Sequence, residues 1–97
     1  MNYYVEYVNH ILRFFARYPE VGTFKNSIDE RNWRVAKKVL DELPEEDRNV
    51  IIEVYRRGDT IPDNIFNISK EMGVRQDCLW TMLKTTTKRI AEERELI

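Results

Sequence analysis

Ile68-Ser69-Lys70-Glu71-Met72-Gly73-Val74-Arg75-Gln76-Asp77-Cys78-Leu79 is the stretch on which the reading of this chain turns. Ile61, Ile65, Ile68 and Met72 recur at helical spacing before the glycine, and Leu79, Leu83, Thr86 and Ile90 recur at helical spacing after it. Gly73 is therefore expected to cap one helix, because glycine reaches the left-handed backbone of a helix end without a Cβ penalty. The helix before it should begin near Pro62, and the helix after a short turn should run from about Gln76 to Arg94. Ser69 is small where two such helices approach, and Val74 can plug the turn into a core. Two short helices meeting at a glycine turn, the second with a polar outer face, have the sequence form of a helix-turn-helix.

The segments upstream read as further helices. Leu43-Pro44 is a sharp break, with Pro44 at a first helical position and Glu45, Glu46 and Asp47 against the positive end of a helix dipole. Val50, Ile51, Val54 and Tyr55 give that helix its inward stripe, and Gly58 is expected as a left-handed stop. Ser27-Ile28-Asp29-Glu30 reads as a capping box opening a helix to about Leu43, with Trp33, Ala36, Val39, Leu40 and Leu43 inward. The first helix should run from about Asn2 to Tyr18, ahead of a loop from Pro19 to Asn26. Its apolar arc is roughly twice the ~100° needed to dock on one core, so it is clasped on two sides or has a second partner. The expected fold is all-α. It is a compact bundle of four to five helices in one domain, residues 1–97, with an N-terminal helical pair (1–43) and a helix-turn-helix half (44–97).

Composition narrows function. The chain has 97 residues, with 42 % hydrophobic and 34 % charged, too apolar for a disordered tail and too charged for a membrane protein. Sixteen Lys+Arg against seventeen Asp+Glu exclude a globally basic coat for nucleic acid but leave room for a local basic face. One cysteine, Cys78, and one histidine, His10, cannot build a disulfide, a four-ligand zinc site or a nucleophilic triad. No strand precedes any glycine, so no phosphate-cradling loop is expected, and adjacent carboxylates such as Glu45/Glu46 point about 100° apart on a helix. An enzyme, a cofactor and a metal are therefore not expected. Nor is a membrane span, and the first residues lack a signal-peptide pattern, which points to the cytoplasm.

From Arg75 to Ala91 four basic residues stand against one acidic, a local +3 inside a chain of net −1. At this point the residues resemble a known family. Leu43-Pro44-Glu45-Glu46-Asp47-Arg48-Asn49-Val50-Ile51 looks like the start of the region-four domain of bacterial sigma factors. Ile68 through Val74 is similar to that domain's helix-turn-helix core, and Leu83 and Ile90 fall where its recognition helix packs inward. The first forty residues do not resemble the sigma core-binding region. The overall likeness is to small stand-alone region-four-like proteins of prophages and conjugative elements, and covers the C-terminal half. Arg75 stands where Ser or Thr commonly caps the recognition helix, and about one extra helical turn separates Gly58 from Ile68.

The resemblance implies a DNA-binding transcriptional regulator. Carried over, Arg75, Gln76 and Asp77 start the recognition helix, with Gln76 suited to adenine and Arg75 to guanine or phosphate. Thr81, Lys84, Thr85 and Lys88 line the same face, the lysines neutralising phosphates. Trp80 lies between the core and exposed arcs, and sealing a contact with the second or third helix is favoured over touching a base or partner. The alternative is a protein-interaction module that keeps the helix-turn-helix as scaffold and binds a second copy, RNA polymerase or a sigma subunit. Tyr3, Tyr7, Phe14 and Tyr18 are its expected interface, and for the DNA reading the first and second helices supply a homodimer surface.

Overall fold

The computed structural model describes residues 4–18, 20 and 23–97. It contains five helices: α1 (Tyr4–Arg17), α2 (Ser27–Asp41), α3 (Glu45–Arg56), α4 (Ile61–Met72) and α5 (Gln76–Glu93). There is no strand among the described residues, and no helix there is long and apolar enough to cross a membrane.

The helix ends follow local chemistry, with three shifts from expectation. α2 is capped by Asn26, whose side chain accepts from the Asp29 amide at 2.8 Å; the box sits one residue earlier than Ser27–Glu30. Pro44 is the residue before α3 and not its first helical residue. Gly58 is not left-handed: α3 leaves through Arg57 in an extended conformation, and Gly73 is the only described glycine with positive φ. Carbonyls at the end of α3 and in the loop after it are taken by side chains. Arg13 donates to the Arg57 and Asp59 carbonyls at 3.3 and 3.2 Å. Asn64, fully buried, donates to the carbonyls of Val54, Arg57 and Asp59. Polar backbone that is buried needs such partners, and here two side chains supply them.

α1 explains its own broad apolar arc. It packs against α2, α3 and α5, so Val8, Ile11, Leu12, Phe15 and Ala16 are all buried within one core. That core continues through Trp33, Ala36, Val39 and Leu40 of α2, Val50, Ile51, Val54 and Tyr55 of α3, Ile65 and Ile68 of α4, and Leu79, Leu83, Ile90 and Ala91 of α5. α3 and α5 contribute their expected stripes and α2 all of its own but the half-buried Leu43, whereas in α4 only Ile65 and Ile68 are buried, Ile61 is half-buried and Met72, at the helix end, is 56 % exposed. Burial of these side chains at ~25 cal/mol per Å² is the main force holding a chain without disulfides.

Candidate nucleic-acid interface

The start of α5 is built by the turn before it. Gly73 adopts φ 66°, ψ 29° and its N–H bonds to the Ser69 carbonyl. The Val74 N–H also reaches the Ser69 carbonyl, at 3.2 Å, and the Ser69 hydroxyl donates back to the Val74 carbonyl. Val74 is half-buried against the core, so the turn is anchored from below while its hydrogen bonds close it from the side. Ser69 therefore acts as a turn clip, a sharper role than small size alone. Arg75 precedes the helix in an extended conformation and makes no side-chain cap.

From that start, Leu79, Leu83, Thr86, Thr87, Ile90 and Ala91 turn inward. Gln76, Asp77, Trp80, Thr81, Lys84, Thr85 and Lys88 are all exposed, as is Arg75 just ahead of them. At 100° per residue, Asp77, Thr81, Lys84, Thr85 and Lys88 share an arc of about 100°, whereas Gln76 sits about 140° round from Thr81. Gln76 thus flanks the expected face and does not lie at its centre.

One of the three excess charges of this segment is taken up locally, and two remain. Arg75 pairs with Asp77 at 2.7 Å, both well exposed. Arg89 meets Glu42 at 2.9 Å, Glu93 at 3.2 Å and Glu92 at 3.7 Å. Its pKa is raised above the ordinary guanidinium value, first by the hydrogen bond to Glu93 and then by that to Glu42. Lys84 and Lys88 form no ion pair among the described residues, and they are the cations this face offers freely.

Trp80 is not sealed into a contact: it is left largely open, on a cleft that it shares with Tyr55 of α3. It stands 42 % exposed beside a cleft of about 510 Å³ that α1, α3, α4 and α5 enclose together. Val5, Asn9, Tyr55, Ile61 and Leu83 form the rest of its wall with Asp77, Thr81, Lys84 and Thr87. The Tyr55 hydroxyl donates to Asn9 Oδ1 at 2.8 Å. Burial of the Tyr55 phenol pushes its pKa well above the ordinary value, so it stays a neutral donor. Sequence reasoning missed this cleft because its wall comes from four separate segments. It also missed Asn64, although a signal was present: Asn64 falls between Ile61 and Ile68 on the inward stripe of α4.

The expected aromatic interface on α1 divides. Tyr3 lies outside the described residues. Tyr7 is 37 % exposed and its hydroxyl is held by Asn32 Nδ2 at 3.2 Å and Arg94 Nη2 at 3.3 Å. These hydrogen bonds, Asn32's first, lower its pKa. Phe14 is half-buried and packs against Tyr18 with ring centroids 5.7 Å apart. Tyr18 is the most open of the described three, at 47 %.

Among the described residues no group of three His, Cys, Asp or Glu side chains could hold a metal ion. Comparison with protein-family models, with curated proteins and with solved structures finds no match to this chain.

Proposed function

We propose that this chain is a DNA-binding transcriptional regulator in which α4 and α5 act as a helix-turn-helix and α5 is the recognition helix. The observation that carries the reading is the face of α5 with Thr81, Lys84, Thr85 and Lys88 exposed on one arc while Leu79, Leu83 and Ile90 hold the opposite arc in the core. A helix held from behind and polar in front suits a major groove about 12 Å wide. The resemblance to sigma region four supports the same assignment.

Two free lysines are a thin footprint. Each phosphate neutralised contributes about 0.9 to the salt slope, so one copy should show a slope near −2 and bind weakly at physiological salt. Two copies on paired half-sites strengthen such a grip, and α1 with Tyr18 is the surface we assign to that pairing. The cytoplasm is the compartment this role requires. Anisotropy titration of labelled duplex DNA at low and moderate salt tests the reading. Lys84→Glu with Lys88→Glu should lower affinity at least tenfold, about 1.4 kcal/mol, with folding intact. Unchanged affinity in that variant removes α5 from the groove.

A second reading is supported by Tyr18, Phe66, Met72 and Trp80, each more than 40 % exposed. Exposed large apolar side chains mark protein contacts, here with a second copy, RNA polymerase or a sigma subunit. Light scattering on Tyr18→Glu separates the two, because Tyr7→Glu would instead disturb the Asn32 and Arg94 contacts. A wild-type monomer that binds DNA and no protein partner decides against this second reading.

A further inference from the structure

We propose that the cleft between α1 and α5 is a binding site for a small flat aromatic carboxylate. Its volume of about 510 Å³ falls inside the range of small-molecule pockets and exceeds what packing faults leave in a core. Most of its wall is apolar. Val5 comes from α1, Ile61 from the first turn of α4 and Leu83 from the buried arc of α5. Trp80 lines the cleft and is left 42 % exposed, in a chain that buries Trp33 to 8 %. An aromatic ring slotted here removes apolar surface from water on several sides and stacks against the indole.

The polar groups at the cleft define the other half of the ligand. Lys84 brings an ammonium with no ion pair among the described residues. Thr81 brings a hydroxyl. Asn9 has its Oδ1 occupied by the Tyr55 hydroxyl at 2.8 Å, which turns the amide so that Nδ2 remains to donate. The acid that lines the cleft among the described residues, Asp77, is paired with Arg75 at 2.7 Å, both side chains well exposed. The donors left over therefore suit an anion, and a carboxylate takes all three without a compensating cation. Thr87 adds nothing to this set, because its hydroxyl is turned back to the Leu83 carbonyl at 2.8 Å.

The site shares Thr81 and Lys84 with the arc proposed to face DNA, but it does not rest on that reading, and its test uses no DNA. The test is titration of the intact chain with 2-naphthoate, followed by amide chemical shifts, with neutral 2-naphthamide in parallel. Naphthoate should saturate one site with Kd of about 0.1–1 mM, the range its atom count allows. Shifts should centre on Val5, Asn9, Ile61, Trp80, Thr81 and Lys84. Naphthamide should bind about three- to fivefold more weakly, because the lysine contact is partly exposed. Lys84→Gln should erase that difference between the two probes. Val5→Trp should fill the cleft and abolish binding of both, with helical circular dichroism unchanged. The proposal is overturned if shifts scatter over the surface without saturation, if the amide binds as well as the acid, or if sedimentation shows a second copy of the chain occupying the cleft.

Discussion

The two ends of α5 differ in what their charges do. Over Gln76 to Lys88 the outer face carries lysines and threonines with no ion pair to another helix. Beyond it, Arg89, Glu93 and Arg94 are woven into α1 and α2. Lys38 reaches Glu93 at 3.0 Å, Glu42 reaches Arg89 at 2.9 Å, and Arg94 Nε donates to Asn32 Oδ1 at 2.6 Å. Counting cations along one helix therefore overstates its charge toward a ligand. The guanidinium that contributes to the local excess at Arg89 is engaged in holding α5 to α2, and the two lysines are left to face outward.

Four measurements sharpen that contrast. The largest effect belongs to the shared core beneath both ends. Ile90→Ala, at a fully buried position, should cost about 3 kcal/mol in urea unfolding, and a value below about 1 kcal/mol would mean that α5 is not seated as described. Arg94→Ala should cost about 1–2 kcal/mol, since it strips the shorter of two donors from Asn32 Oδ1, leaving only the Tyr7 hydroxyl at 3.5 Å on a residue 5 % exposed. Arg89→Ala should shift the urea midpoint less than Arg94→Ala does, its pairs being largely exposed, and should leave DNA affinity where the lysine variants lower it. If Arg89→Ala weakens DNA binding as much as the lysine pair does, the division between the two ends fails.

The smallest effect is in pH. Hydrogen bonds from Lys38 and then Arg89 hold Glu93 below the ordinary carboxylate range, and those from Arg56 and then Arg57 do the same for Glu53. Asp41 is lowered by Lys37 and then Arg48. A depressed carboxyl pKa stabilises the folded chain at pH values above the unfolded value of about 4, and that stability is lost as pH falls through the lower folded value. The urea midpoint should thus hold from pH 7 to about 5 and fall below about 4. Glu93→Gln should flatten part of that fall, and an unchanged acid limb would show that the tied end contributes nothing through charge.

The helices were legible because each carries its own period and punctuation. Pro44, Pro62 and Gly73 fall within a residue or so of real boundaries, and most of the stripes of α2 to α5 are in the observed core, Met72 at the exposed end of α4 being the exception. The failures have local causes. Asn26-Asp29 and Ser27-Glu30 are overlapping caps, and the sequence alone does not rank them. Gly58 reads as a left-handed stop because the side chains that serve its neighbourhood, Arg13 and Asn64, lie on other helices and carry no local signal toward it. At the candidate interface, exposure of Thr81, Lys84, Thr85 and Lys88 followed from periodicity. The capture of Arg89 by Glu42 did not, because 47 residues separate them. The cleft was hidden for the same reason, being a product of tertiary packing.

Gly73 carries one more implication. A Cβ placed there meets nothing within 4 Å, yet the backbone sits at φ +66°. The objection at this position is to handedness and not to bulk. L-Alanine would strain the turn by about 1 kcal/mol. Its mirror-image form, installed by total chemical synthesis, should fit without strain and tighten the junction by narrowing the freedom of the unfolded chain.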